Sequence, residues 1–344
     1  MKLSIIIPVY NVEAYIEKCI CSLQDQDIPD SDYEIIIIND GSPDNSREVI
    51  VKLAKQFKNI VFIDQENKGV SLARNAGIDR AKGKYIVFID PDDYVMPNSF
   101  SGILAAAEVS NAEVVFLGYR FLNADNSVKK EILFKDEAGK IYTGIKMYSI
   151  SRGDGTTDPD RSVAILYSRD FMNKFAIRYI SKIPYLEDGE FLARVMCLAE
   201  RCIFEGHPFY IRTTRPGSAT NSGLFYSDKA INGFFNAANN LKEFKKTHLL
   251  NKEQDNFLNQ PITKFTLLIV QACTVKGYYS KYKSVKKRIK MQGLAKIEIE
   301  GCSAFYYKYG LLFNLSNDLF YYTWTARLVF ISIGYKLNSF FGKN

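Results

Sequence analysis

Apolar positions in the first hundred residues alternate between short unbroken runs and stretches with helical spacing. Leu3 to Ile7 is the first run and closes on Pro8-Val9-Tyr10-Asn11, after which Ile16, Ile20 and Leu23 recur at three- and four-residue intervals. Glu34 to Ile38 is the second run. It ends in Asn39-Asp40-Gly41-Ser42, and Pro43-Asp44-Asn45-Ser46 then supplies turn and N-cap residues ahead of Val49, Ile50, Leu53 and Phe57. A third run, Asn59 to Ile63, leads through Glu66-Asn67-Lys68-Gly69 to a helix over 71–81, and Tyr85 to Ile89 is the fourth. Runs without polar alternation predict strands covered on both faces, and their alternation with helices predicts a mainly parallel α/β sheet with helices on both sides. In such a sheet Tyr10, Asp40, Lys68 and Asp92 leave the strands at one common edge.

The fourth run ends in Asp90-Pro91-Asp92-Asp93. Three carboxylates within four positions repel one another, and hard divalent cations are bound through oxygen ligands of this type. Asp and Pro are also ordinary turn formers, so these residues alone are consistent with a metal and phosphate site or with an acidic turn. No Gly-x-Gly-x-x-Gly follows the first strand and no Gly-x-x-x-x-Gly-Lys-Ser/Thr occurs, so dinucleotide-dependent dehydrogenases and phosphate-loop NTPases lack their fingerprint.

Val114 to Leu117 predicts a further buried strand, 123–140 a hairpin or exposed loop, and 153–160 a turn-rich loop. Pro184-Tyr185-Leu186-Glu187-Asp188-Gly189-Glu190-Phe191 opens a helix with Phe191, Leu192, Val195 and Leu198 on its apolar face, and the helix dipole accounts for acidic residues in its first turn. Cys202 to Phe204 reads as a strand, with His207-Pro208 in a turn and Arg212, Arg215 and Ser218 in a polar loop after Phe209. From about Ser227 the spacing is helical.

Charge sharpens that division. From Leu241 to Asn344 there are 17 Lys and Arg against 6 Asp and Glu, whereas the first 240 residues carry a small net negative charge. The basic run Lys281 to Lys290 and the aromatic segment Leu311 to Phe341 suit an interfacial helix or a packed bundle with a basic face; Asp318, Arg327 and Lys336 interrupt any transmembrane span. No nucleic-acid motif is present. The N-terminal apolar run is too short for a secretory leader, and six cysteines without paired metal-ligand spacing suit a reducing, cytoplasmic compartment.

IIIPVYN, IIIINDGSPDNS, ENKGVSLARNAGI and KYIVFIDPDD, in that order, resemble the N-terminal half of the family 2 glycosyltransferases of GT-A fold. The resemblance covers roughly the first hundred residues and implies a catalytic domain over 1–225, with a donor half (1–100) and an acceptor half (101–225), and a helical basic and aromatic region over 226–344. It implies inverting transfer from a nucleoside-diphosphate sugar, a UDP-sugar above all, to a hydroxyl of a glycan or lipid-linked acceptor, as in cell-surface polysaccharide synthesis, at the inner face of the cytoplasmic membrane. Mn²⁺ or Mg²⁺ is the implied cofactor, with Asp92 and Asp90 as its ligands. By position, Pro8, Val9, Tyr10, Glu13, Asp40, Lys68, Arg74 and Asp90 resemble the donor-binding residues, with Arg212, Arg215 and Ser218 on a loop closing over the diphosphate. LEDGEF resembles the motif whose Asp, here Asp188, is the catalytic base. For Glu13 helix capping is the competing role, for Arg74 a solvated helix position, and for Asp93 a turn cap. A sugar-nucleotide nucleotidyltransferase, which would need a Gly-rich basic loop after the first strand, and a non-catalytic donor-binding or membrane scaffold are the alternatives.

Overall fold

The computed structural model describes residues 1–123, 125–152, 160–213, 223–274 and 279–328, which fall into two units, Met1–Asn221 and Ser222–Asn344. In the first unit β1 (Leu3–Val9), β2 (Tyr33–Asp40) and β4 (Tyr85–Phe88) are buried at every position, as unbroken Ile and Val runs require. β3 (Ile60–Gln65) lies at the sheet edge and is mostly half-buried. Helices α1 (Ile16–Ser22), α2 (Ser46–Gln56) and α3 (Val70–Arg80) join these strands. The strands pair in parallel in the order β3-β2-β1-β4.

Two local features shape the ligand edge. β1 pairs with β2 as far as Val9 but with β4 only from Leu3 to Ile6, so the chains part beyond Ile6 at the point where the strand order reverses. Open α/β sheets place their ligand crevice there. At the opposite end, the buried Glu34 carboxylate accepts from Ser4 Oγ and from the Lys82 N–H, both at 2.7 Å, and fastens three segments together. Gly77 lets α3 lie directly on the sheet, since a Cβ there would stand 2.4 Å from Ile6 Cγ2.

The sheet continues through β5 (Tyr94–Val95), β6 (Val114–Leu122), β7 (Val128–Ile132), β8 (Ile141–Tyr142), β9 (Ile165–Ser168) and β10 (Cys202–Arg212), in the order β4-β9-β6-β10-β5, with β7 on β6 and β8 on β10. Here the pairing is mixed: β9 runs antiparallel between β4 and β6, while β6 and β10 are parallel. Burial periodicity reports coverage, not direction, so this half was not readable as mixed. The 123–140 segment forms a hairpin arm, β7 antiparallel to β6. His207-Pro208, expected as a turn, lies inside β10, where register shifts on either side of Pro208 absorb its missing N–H. Helices α4 (Phe100–Val109), α5 (Gly144–Arg152), α6 (Arg169–Lys174) and α7 (Glu187–Leu198) complete the unit.

The second unit is helical: α8 (Asp228–Thr247), α9 (Lys252–Gln271), α10 (Tyr279–Met291), α11 (Ala304–Leu315) and a helical stretch over 317–328. Ser227 caps α8 by accepting the Ala230 N–H, and Asn251 with Gln254 forms a capping box on α9. Phe234, Leu241, Phe265, Ile269, Tyr282 and Ile289 are buried. Among the described residues no helix is long and apolar enough to cross a membrane. All six cysteines are free thiols.

Candidate active site

The parallel strands deliver their C-terminal residues to one edge. Tyr10 follows β1 and is 49% exposed, one of few large aromatic side chains left open in this unit, while Pro8 and Val9 are buried within the strand. Asp40 ends β2 with its carboxylate buried and accepts from Gln65 Nε2 (2.7 Å), the Lys68 N–H (2.9 Å) and the Gly69 N–H (2.8 Å). It thereby fixes the β3–α3 loop, and Gly69 meets both neighbours at φ +87°, a conformation costly for any residue with a Cβ. The Lys68 side chain is exposed above it. The Glu13 carboxylate accepts from the Asn45 N–H at 2.8 Å and from Asn45 Nδ2 at 2.9 Å, which holds the turn ahead of α2.

The acidic turn after β4 is tied to β10. Tyr210 Oη donates to Asp93 Oδ2 at 2.6 Å and accepts the Asp90 N–H at 3.2 Å, while the Thr213 N–H donates to Asp93 Oδ1 at 2.7 Å. Asp93 is therefore more than a turn cap: it is a buried anchor, and burial lifts its carboxyl to about 8, with Asp90 and Asp92 adding repulsion. Asp90 and Asp92 stay half-buried at the crevice. Burial raises the Asp90 carboxyl to about 6 against the pull of Arg74, with Asp92 and Asp188 adding repulsion. Arg212 is exposed, lies over the Phe121 ring at 5.3 Å and acts electrostatically on Asp90. Arg215 and Ser218 lie outside the described residues.

Arg74 is not a solvated helix residue. It is 3% exposed, and its guanidinium joins the acidic turn to the start of α7: Nη1 donates to Asp188 Oδ1 at 2.9 Å and to Glu187 Oε1 at 3.0 Å, and Nη2 donates to Asp90 Oδ1 at 3.3 Å. Tyr179 supports it, ring centroid 5.1 Å from the guanidinium carbon, and stacks in turn on Phe191 of α7 at 4.0 Å. The sequence signal for this hub was weak because α3 has almost no amphipathic pattern; its inner face is built of Ala73, Gly77 and Ile78 beside Arg74 itself.

Asp188 occupies the first turn of α7, entered through Leu186 at φ +60°. Oδ1 also accepts from Ser162 Oγ at 2.8 Å, whereas Oδ2 takes no hydrogen bond from the described residues. Ser162 is fully buried and carries no sequence signal; only the fold puts it beside Asp188. Glu187 is a second carboxylate at this point, its carboxyl raised to about 7 by burial and by Asp188. Glu190 belongs to the core: Arg194 Nε and Nη2 clasp it at 2.7 and 2.8 Å.

Among the described residues no three His, Cys, Asp or Glu side chains form a ready-made cage for a metal ion. A cation that bridges a diphosphate needs only one or two carboxylates from the protein and takes its other oxygens from phosphate and water. Asp90 and Asp92 fit that requirement, as the repulsion raising the Asp90 carboxyl is what a cation would relieve.

Residues 4–169 match the family model described as Glycosyl transferase family 2. The chain is 35% identical over 218 residues to the uncharacterised glycosyltransferase EpsJ of Bacillus subtilis, a match covering 63% of this chain and 62% of that protein. It is 23% identical over 224 residues to the poly(ribitol-phosphate) beta-N-acetylglucosaminyltransferase TarS of Staphylococcus aureus, covering 64% of this chain and 37% of TarS. The chain thus spans less than two thirds of the length of either relative. The crystal structure of S. aureus TarS 1-349 in complex with UDP-GlcNAc superposes with a TM-score of 0.65 at 20% identity over 85% of this chain and 81% of that one. A mannosyltransferase from Pyrobaculum calidifontis, solved with GDP-Man and Mn²⁺, gives a TM-score of 0.51 at 11% identity over the whole of this chain and 88% of its own. A parallel donor half, a mixed second half and the matched motifs agree with these relatives: residues 4–169 match glycosyl transferase family 2, and the N-terminal unit has the GT-A fold.

Proposed function

We propose that the chain transfers a sugar, with inversion, from a nucleoside-diphosphate donor to a hydroxyl of a glycan or lipid-linked acceptor in cell-surface polysaccharide synthesis. One observation carries the reading: among the described residues Asp188 is held through Oδ1 alone, by Arg74 and Ser162, which leaves Oδ2 as a positioned proton acceptor beside the acidic turn. A base oriented this way takes the acceptor proton while the hydroxyl attacks the anomeric carbon, and one displacement inverts that carbon. Tyr10 offers a ring face to the base of the donor, and UDP is the nucleotide that suits the remaining acceptor capacity of Asp40. Lys68 and Arg212 supply charge toward the phosphates. Asp90 and Asp92 would hold Mn²⁺ or Mg²⁺, which, when bound, neutralises the charge developing on the leaving diphosphate.

Exposed Phe305, Tyr307, Leu311, Leu315, Leu319 and Tyr322 support peripheral attachment of the C-terminal region to the inner face of the cytoplasmic membrane. Transfer is tested by incubating the protein with Mn²⁺, lipid-linked acceptors and a panel of nucleotide sugars, and measuring nucleoside-diphosphate release. Release with one donor, lost in D188N, supports the reading. Neither release nor nucleotide binding with any donor sinks it. Attachment is tested by liposome co-sedimentation with and without the residues after Lys281; sedimentation that the deletion leaves unchanged refutes it.

A further inference from the structure

Strand register places Asp40 in the middle of a row. β3 pairs with β2 so that Gln65 lies directly beside Asp40, and β1 pairs with β2 as far as Val9 and Asn39, which brings Tyr10, the next residue, level with Asp40 on its other side. Neighbouring strands are about 4.8 Å apart, so the row spans about 10 Å. Gln65 is held in its place. Asp64, the residue before it, accepts from Asn39 Nδ2 at 2.7 Å and from Arg47 Nε at 2.6 Å. Gly41, at φ +68°, packs so closely on the β3–α3 loop that a Cβ there would stand 2.9 Å from the Asn67 N.

This packing decides how much of the Asp40 carboxylate is left for a ligand. A carboxylate has about four lone-pair sites, two on each oxygen. Oδ1 accepts from Gln65 Nε2 at 2.7 Å and from the Lys68 N–H at 2.9 Å, so both of its sites are taken. Among the described residues Oδ2 accepts only the Gly69 N–H, at 2.8 Å, so one site stays open. Two of these three donors are backbone groups. Gln65 is the one side chain among them, and so the one donor that a substitution removes.

The nucleobases differ in what they offer a carboxylate. On its pairing edge uracil presents one N–H between two carbonyls, whereas guanine presents two adjacent donors, N1–H and the N2 amino group, which a carboxylate takes with both oxygens. Cytosine and adenine turn a ring-nitrogen lone pair toward it beside their amino group. One open site satisfies uracil. Guanine would bring a second donor against an oxygen whose lone pairs are spent, and a polar group stripped of water and left unpaired is what lets a site reject an analogue.

We infer that Gln65 sets nucleobase specificity: by occupying Asp40 Oδ1 it limits the carboxylate to one further N–H, which admits uracil and excludes guanine. The inference rests on the nucleotide-sugar reading above and adds to it a determinant that acts through Asp40.

The test is calorimetric titration of the full chain with UDP, GDP, CDP and ADP in the presence of Mg²⁺. Wild type should bind UDP about tenfold or more tightly than GDP, the effect of one stranded donor. Gln65→Met keeps the length of the side chain and removes the amide. It should narrow the ratio of UDP to GDP affinity by about fivefold or more, through tighter GDP binding, because the element that opposes guanine is gone. CDP and ADP should stay weak, since their ring lone pair still faces the carboxylate. Gln65→Ala should change the ratio in the same direction; thermal melting shows which variants fold, and either one carries the test. An unchanged ratio in a folded variant overturns the inference, as does a wild type that prefers GDP. So does a variant in which all four nucleotides gain or lose affinity together, the mark of a loosened pocket. A wild type that binds none of the four removes the nucleotide-sugar reading itself, and the inference with it.

Discussion

Arg74 Nη1 lies 2.9 Å from Asp188 Oδ1, although 114 positions separate the two residues. The same guanidinium reaches Asp90 at 3.3 Å, so a single buried cation sets the distance between the acidic turn and the proposed base. Burial opposes its charge, but Asp188, Glu187 and Asp90 outweigh that, and Arg74 stays protonated well above the ordinary arginine range.

Removing Arg74 leaves three carboxylates without their counter-charge. Arg74→Ala should cost about 3 kcal/mol, toward the lower end for breaking a buried pair because Asp90 is 37% exposed. Urea unfolding measures it. Arg74→Lys keeps the charge but lacks the planar fork, so it should recover part of the stability and little of the transfer activity.

Asp188→Asn keeps shape and the hydrogen bond from Ser162 while removing the proton acceptor. Nucleoside-diphosphate release in the presence of acceptor should fall by about 10²–10⁴, the usual contribution of a general base, with donor affinity near wild type. Loss of donor affinity with unchanged turnover would assign Asp188 to donor binding instead.

Glu190→Gln should have the opposite profile. Glu190 is fully buried and clasped by Arg194, which is itself 7% exposed, so the substitution strands a charge in the core and should lower stability by about 3 kcal/mol. Activity per folded molecule should hold, as measured by turnover normalised to the folded fraction.

Gly77→Ala places a methyl 2.4 Å from Ile6 Cγ2 and 3.0 Å from Ile38 Cδ1, one turn along α3 from Arg74. Overpacking of this kind costs about 1–3 kcal/mol. The displaced helix should also loosen the Arg74 contacts, so turnover and thermal midpoint should fall together.

Mn²⁺ added with a nucleoside diphosphate should raise the unfolding temperature of the wild type. The stabilisation approaches about 2.7 kcal/mol at a hundredfold excess over the dissociation constant. Asp92→Asn should abolish the Mn²⁺-dependent part while leaving stability without metal nearly unchanged, because Asp92 is only half-buried. An equal shift in wild type and variant would remove Asp92 from the metal site.

The linear pattern carried the donor half of the fold. Unbroken runs of β-branched residues such as Ile35 to Ile38 read as covered strands, and parallel strands joined by helices release their loops at one edge, so the linear pattern itself puts Asp40 and Asp92 there. What the pattern could not carry is any choice that depends on a distant partner. Strand direction in the second half is one: β9 is buried alike whether parallel or antiparallel to β4. Arg74 is the sharper case. A cation in a helix without a clear apolar face reads as solvated, and only packing of α3 on the sheet, with α7 and the acidic turn closing around it, makes burying that charge cheaper than exposing it. The sequence determined which carboxylates stand at the ends of the strands; the tertiary structure decided which of them share one buried counter-charge, because electrostatic pairing depends on distance in space and leaves no periodic trace along the chain.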